Sequence, residues 1–146
     1  MSVRNFLFAV GVLCICVLAG PFAPATANHK QRTIVVSGKT IIAFFPPVTK
    51  AELDKDPDTN EALSDFQYYA GAVREPLKKE RILFHELYTY SFRLRVGQTV
   101  STFRPARIQI GYYFVAPGKK PRIQYGVMTD VDLMQMANEY FGLSTK

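Results

Sequence analysis

The side chains that most often carry catalysis are scarce in this chain of 146 residues, which contains two histidines and two cysteines. Both cysteines, Cys14 and Cys16, lie in an apolar segment near the amino terminus. His29 and His85 are far apart in sequence, and neither has the neighbouring ligands typical of a zinc site. The nucleophile elbow, the Gly-rich phosphate loop and the His-Glu-x-x-His motif are all absent from the sequence. We therefore assign no catalytic residue, no metal site and no cofactor.

His85 and the adjacent Glu86 are the best remaining candidates for acid–base chemistry. They support an alternative function, a small cysteine-independent hydrolase or metal-binding protein that uses His85 with nearby carboxylates. Oxygen-bearing residues also alternate as in a calcium loop, at Asp54, Asp56, Asp58, Asn60 and Asp65. Thr59 stands where such a loop needs glycine, so we interpret this segment as a solvated acidic loop.

The charge is unevenly distributed along a chain whose formal net charge is +6. Six acidic residues lie between Glu52 and Asp65, whereas residues 87–129 contain seven basic residues and no acid. Such asymmetry predicts contact with an anionic partner. The residues that we expect to form this basic, aromatic-edged binding surface are Arg93, Arg95, Arg104, Arg107 and Tyr112. The expected partner is an anionic envelope component or an acidic protein.

The amino terminus has the pattern of a secretory signal peptide over residues 1–27. Arg4 precedes the apolar run Phe6–Ala19, and Ala25-Thr26-Ala27 forms a small-x-small cleavage site. The apolar run is short for a membrane-spanning helix, which needs about 20 residues. We expect cleavage near Ala27, which leaves a secreted or periplasmic domain over 28–146 without a transmembrane segment. In that compartment we expect no nucleic-acid partner. Cleavage would also remove both cysteines, so thiol–disulfide exchange is not expected.

Apolar residues at helical spacing predict two helices. The first is indicated by an apolar stripe of Leu63, Phe66, Ala70, Val73 and Leu77. We expect Asp58 to cap this helix and a charged loop over 50–60 to precede it. The helix should bend or end near Pro76. Thr129 and Gly142 mark the two ends of the second helix, whose core stripe includes Leu133, Ala137 and Tyr140.

Strand patterns fill most of the remaining sequence. Two short strands are predicted over 33–45 on either side of Ser37-Gly38-Lys39. Apolar and polar residues alternate over 82–96 with a period of two, which predicts one strand with a buried face and a wetter face. Gly97-Gln98 predicts a turn, and further strands are expected over 99–103, 108–115 and 123–128.

The order strand, helix, strand, β-hairpin and closing helix resembles the thioredoxin-like fold. Residues 40–45 are similar to the central strand of that family, and residues 111–126 with the following helix are similar to its terminal β-β-α unit. The resemblance implies an α/β domain with a mixed sheet and flanking helices. Pro46-Pro47-Val48-Thr49 stands where the family carries its Cys-x-x-Cys motif, and Ile110 stands near the position of its characteristic proline. The resemblance therefore implies a redox-inactive member, with a non-catalytic binding function.

A second architecture is compatible with the alternation over 82–96. The segment 82–128 could form an antiparallel meander with one face on the two helices and the other in water, which is an α+β arrangement.

Overall fold

The computed structural model describes residues 32–105 and 109–143, which form two β-sheets and three helices. The strands are β1 (Thr33–Val36), β2 (Thr40–Phe45), β3 (Leu83–Tyr88), β4 (Phe92–Val96), β5 (Thr99–Phe103), β6 (Gly111–Val115) and β7 (Arg122–Tyr125). The helices are α1 (Lys50–Leu53), α2 (Pro57–Lys79) and α3 (Asp130–Phe141). The predicted signal peptide, His29 and Arg107 lie outside the described residues. The prediction of mixed α and β structure is confirmed.

The central sheet has four strands in the order β3-β2-β6-β7. Strand β2 is parallel to β3 and antiparallel to β6, and β7 is antiparallel to β6. All six residues of β2 are buried. Its last five residues, Ile41 to Phe45, are all apolar. This run fits the central position, because a strand that is covered on both faces has no polar side to present to water.

Helices α2 and α3 cover one face of the central sheet. The buried residues of α2 are Phe66, Ala70, Val73 and Leu77, as its helical spacing predicts. Three of them pack in one core cluster with residues of β2, β6 and α3. Burial of apolar side chains of this size stabilises the folded state by roughly 1.5–3 kcal/mol each, so this cluster holds both helices against the sheet.

The other face of the central sheet is covered by a three-stranded sheet in the order β1-β4-β5. Strand β1 is parallel to β4, and β4 and β5 form an antiparallel hairpin. A second core cluster lies between the two sheets and includes Ile34, Ile42, Phe44, Phe92 and Leu94. The described chain is thus built in three layers, with helices, central sheet and small sheet in that order.

The prediction of a single strand over 82–96 is wrong. Strands β3 and β4 lie in different sheets, and the chain crosses between them at residues 89–91. The Thr89 hydroxyl donates to the Ser91 carbonyl at 2.8 Å in this crossing. The single antiparallel meander is therefore also wrong, because β3 pairs with β2 in parallel and not with β4.

The prediction of a charged loop over 50–60 is wrong as well. Residues Lys50–Leu53 form the short helix α1, and α2 begins at Pro57 with Asp56 as its N-cap. Proline has a helical φ and no N–H, so it suits the first helical position and shifts the cap to the preceding residue, away from Asp58. Helix α2 also continues through Pro76 to Lys79, since Val73 and Leu77 anchor its last turns in the core.

Helix α3 follows the sequence prediction. Thr129 is its N-cap, and Gly142 ends it in the left-handed conformation at φ 64°. Leu133, Ala137 and Tyr140 are its buried residues.

Candidate binding surface

The outer face of the small sheet carries two of the predicted arginines side by side. Strand β4 alternates, with Phe92 and Leu94 buried against the central sheet and Arg93 and Arg95 exposed on the opposite side. Successive side chains of a strand point to opposite faces, and residues two apart share one face. The buried pair therefore fixes the direction in which the two arginines point.

The neighbouring strands extend this face in register. Thr33 of β1 and Thr102 of β5 are the partners of Arg93, and Val35 and Val100 are the partners of Arg95. Val35 is 56% exposed and Val100 is 51% exposed, which is unusual for valines in a sheet. We call this surface the basic face; its residues are Thr33, Val35, Arg93, Arg95, Val100, Thr102 and the exposed Arg104 that follows β5.

The arginines of the basic face are not neutralised by neighbouring acids. Within residues 32–105 and 109–143, no carboxylate lies within 4.0 Å of the guanidinium groups of Arg93, Arg95 or Arg104. The nearby side chains are threonines and valines, which leave the positive charge free to attract an anion from solution.

The assignment of Tyr112 to the binding surface is wrong. Tyr112 is 0% exposed and belongs to the core between the central sheet and the helices. Its hydroxyl accepts a hydrogen bond from the Met128 backbone N–H at 3.4 Å. Burial raises the pKa of its phenol above the usual value of 10.0. Tyr112 is thus a core residue that connects β6 to the segment before α3.

His85 and Glu86, the candidates for acid–base chemistry, lie on opposite faces of the central sheet. His85 is in register with Ile42, whose side chain packs against the small sheet. Glu86 is in register with Ala43, which faces the helices. Adjacent residues of a strand cannot act on one substrate from the same side, so the predicted pair is not brought together.

Glu86 instead joins the edge of the central sheet to helix α2. Its Oε2 accepts a hydrogen bond from Arg74 Nη2 at 2.6 Å, and its Oε1 accepts one from the Tyr88 hydroxyl at 2.5 Å. Gln67 Nε2 donates to the same hydroxyl at 3.2 Å. Burial and the bond to Glu86 raise the pKa of Tyr88 above 10.0. Every member has a partner within the cluster, which is consistent with a structural connection.

The acidic segment lies on the helix side of the molecule. Its six acids, Glu52, Asp54, Asp56, Asp58, Glu61 and Asp65, are exposed on α1, α2 and the link between these helices. Asp56 accepts hydrogen bonds from the hydroxyl and the backbone N–H of Thr59, which lower the pKa of its carboxyl group. Within the described chain, no group of three or more His, Cys, Asp or Glu side chains could hold a metal ion.

One open groove lies between the end of β7 and helix α3, with a cavity volume of about 360 Å³. Gln124, Met128 and Met136 contribute to its walls, together with Asp132 and Glu139. Both carboxylates already have partners, since Asp132 accepts from the Thr129 hydroxyl and Glu139 pairs with Arg122 at 3.6 Å. The groove therefore offers no free acid or base at its walls.

The residues of the basic face that sequence analysis missed are the uncharged ones. Thr33, Val35, Val100 and Thr102 carry no charge that would draw attention to them. A hairpin centred on Gly97-Gln98 would have placed Val100 beside Arg95 and Thr102 beside Arg93. The position of β1 beside β4 had no comparable signal, because the two strands are separated by 55 residues.

Comparisons of the chain with protein families, with curated proteins and with solved structures found no match. Among the helices of the described residues, none is both long enough and apolar enough to cross a membrane.

Proposed function

We propose that this protein is an exported, non-catalytic binding domain that holds an anionic partner on its basic face. The observation that carries the proposal is the pair Arg93 and Arg95, which are exposed two residues apart on one strand with no acidic partner among the described residues. Arginine side chains bind carboxylates and phosphates in a fixed two-pronged geometry, so two guanidinium groups on one face suit a partner with repeated negative charges.

The proposed fold is a redox-inactive thioredoxin-like one. The order β2-α2-β3 followed by β6-β7-α3 supports this assignment, as do the parallel β2–β3 pair and the antiparallel β6–β7 pair. The small sheet β1-β4-β5 would be an addition to that core. Cysteine is absent from residues 28–146, so the domain would have no thiolate for disulfide exchange.

The proposed location is the periplasm or the exterior of the cell, after signal cleavage near Ala27. The charged residue, apolar run and small-x-small site of residues 1–27 support it. A partner in that compartment would be an acidic protein or an anionic component of the cell envelope.

The experiment that tests this function measures binding of the purified protein to fluorescein-labelled poly-L-glutamate by fluorescence anisotropy at low ionic strength. The double variant Arg93→Glu with Arg95→Glu should weaken binding by about tenfold or more, because both cations at the contact are reversed. Added salt should weaken binding by the wild-type protein, since exposed charges are screened.

The matched control is the double variant Lys78→Glu with Lys79→Glu. It makes the same change in net charge at the exposed end of α2, on the opposite side of the central sheet. We expect its Kd to stay within about twofold of the wild-type value. Equal weakening by both double variants would mean that total charge, and not the basic face, governs binding, and the proposal would fail.

A further inference from the structure

Strand β5 is an unprotected sheet edge. It lies at the end of the small sheet and pairs with β4 on one side only, within the described residues. Its sequence, Thr-Val-Ser-Thr-Phe, contains neither a charge nor a proline, which are the usual devices that keep another strand from pairing with an edge.

The two edges of the central sheet are covered or charged. At β3, the side chains of Gln67 and Arg74 reach across from α2 to Tyr88 and Glu86. At β7, Arg122 forms an ion pair with Glu139 of α3. Strand β5 has no such cover from the described chain, since four of its five residues are exposed.

The register shows which backbone groups of β5 are available. A two-residue turn, Gly97-Gln98, joins β4 to β5, and the φ of Gly97 is 60°, which is typical of a type II′ turn. In such a hairpin the residues that flank the turn, Val96 and Thr99, exchange both backbone hydrogen bonds, and bonded pairs then alternate along the ladder. The N–H and C=O groups of Val100 and Thr102 therefore point away from β4, towards the open edge.

Strand β5 also has room on both of its faces. Val100 and Thr102 are exposed on the basic face, and Thr99 and Ser101, which face the other way, are exposed too. A strand added beside β5 would therefore not collide with the layer that covers β4.

We propose that β5 pairs with an extended, acidic segment of a partner protein, which adds a fourth strand to the small sheet and directs alternate carboxylates onto the basic face. This inference rests on the function proposed above and assigns its partner. Main-chain hydrogen bonds to Val100 and Thr102 provide the pairing, and the arginines select the side chains, a division of roles common to strand-addition complexes.

The spacing of the sheet permits this recognition. Neighbouring strands lie about 4.8 Å apart, so β4 is about 10 Å from the added strand. The extended side chains of arginine and glutamate can together bridge that distance above the short side chains of Val100 and Thr102. Carboxylates two residues apart would share the face on which Arg93 and Arg95 lie two residues apart.

A second copy of this chain fits the same edge less well. The β5 strand of another molecule would bring only threonine, valine, serine and phenylalanine to the edge. The charges of Arg93, Arg95 and Arg104 would then remain unopposed, whereas an acidic strand neutralises them.

The test uses four synthetic peptides that share one composition of glutamate, valine and threonine. The first alternates glutamate with the other two residues, and the second groups its glutamates at one end. The third and fourth repeat the first with N-methyl groups on alternate backbone nitrogens, one version for each of the two sets of nitrogens. We expect the alternating peptide to bind the wild-type protein at least about tenfold more tightly than the grouped peptide and than one of the methylated versions, which has lost its edge hydrogen bonds.

Two protein variants separate this inference from the proposed function. Val100→Pro removes an N–H that points away from β4, so the β4–β5 ladder keeps its hydrogen bonds while the edge is blocked. This variant should bind the alternating peptide no more tightly than the grouped peptide, and a preference that survives in it would contradict pairing at β5. Arg93→Glu with Arg95→Glu should weaken binding of both probes.

Three outcomes would overturn the inference. If the alternating peptide and both methylated versions bind equally, strand addition is wrong, even where the arginine dependence upholds the proposed function. If Arg93→Glu with Arg95→Glu leaves binding of both probes unchanged, the proposed function fails and the inference fails with it. If the wild-type protein sediments as a dimer that Val100→Pro converts to a monomer, the edge belongs to a second copy.

Discussion

Gly111 of β6 lies directly against the ring of Phe44 of β2. A Cβ atom added to Gly111 would come within 2.8 Å of Phe44 Cζ and within 2.5 Å of the backbone oxygen of Gln124. The same ring packs against Phe92 and Phe103, with centroid distances of 6.1 and 5.3 Å. The absence of a side chain at Gly111 therefore lets Phe44 reach the small sheet that carries the basic face.

Gly111→Ala should lower the free energy of unfolding by about 2–3 kcal/mol, because the new methyl group collides with a core ring and with the backbone of β7. Urea denaturation followed by circular dichroism measures this change. Gly71→Ala is the control: no atom lies within 4 Å of the added Cβ in the middle of α2, so alanine should stabilise the helix by about 0.5–1 kcal/mol. Changes of equal sign and size in the two variants would contradict this packing.

Asp56→Ala should lower the free energy of unfolding by about 1 kcal/mol, since the Asp56 side chain caps α2 through the Thr59 backbone N–H. Asp58→Ala, the same change two residues later in the first turn of α2, should cost only a few tenths of a kcal/mol through the helix dipole. Thermal unfolding of both variants measures the difference. A larger loss of stability for Asp58→Ala than for Asp56→Ala would contradict capping by Asp56 and support Asp58 as the cap.

The helices were largely predictable, whereas the division of strands between sheets was not. The apolar residues of α2 and α3 recur at a period set by the helix itself, so local sequence suffices. Strands β3 and β4 both alternate, and the alternation continues without interruption across residues 89–91. What separates them is the pairing of β3 with β2 and of β4 with β1, and both partners are distant in sequence.

The pH dependence of stability should include a contribution from His85. Burial and the positive charge of Arg32 lower the pKa of His85 below its usual 6.5. Between the lowered pKa and pH 6.5 the unfolded chain binds a proton at His85 that the folded chain does not. The contribution of His85 to the free energy of unfolding is therefore complete above pH 6.5. It decreases as the pH falls from there through the lowered pKa.

His85→Gln should therefore show a smaller loss of stability than the wild-type protein between about pH 7.5 and about pH 5. Urea midpoints at several pH values measure the two slopes, and all other titrating groups are common to both proteins. A wild-type slope no steeper than that of His85→Gln would contradict the lowered pKa.

The candidate site could be predicted in part. Arg93 and Arg95 were identified because their charge and two-residue spacing are local features of the sequence. Tyr112 was misplaced because tyrosine is common both at interfaces and in cores. The informative signal was the apolar run of residues 110–115, which is typical of a central strand covered on both faces, as β6 is.

The most direct test of the central claim is a nuclear magnetic resonance titration of the ¹⁵N-labelled protein with poly-L-glutamate. We predict that the largest backbone amide shifts occur in β4 and β5, at Arg93, Arg95, Val100 and Thr102, and that salt reverses them. Shifts concentrated in α2, or along the groove between β7 and α3, would contradict binding at the basic face.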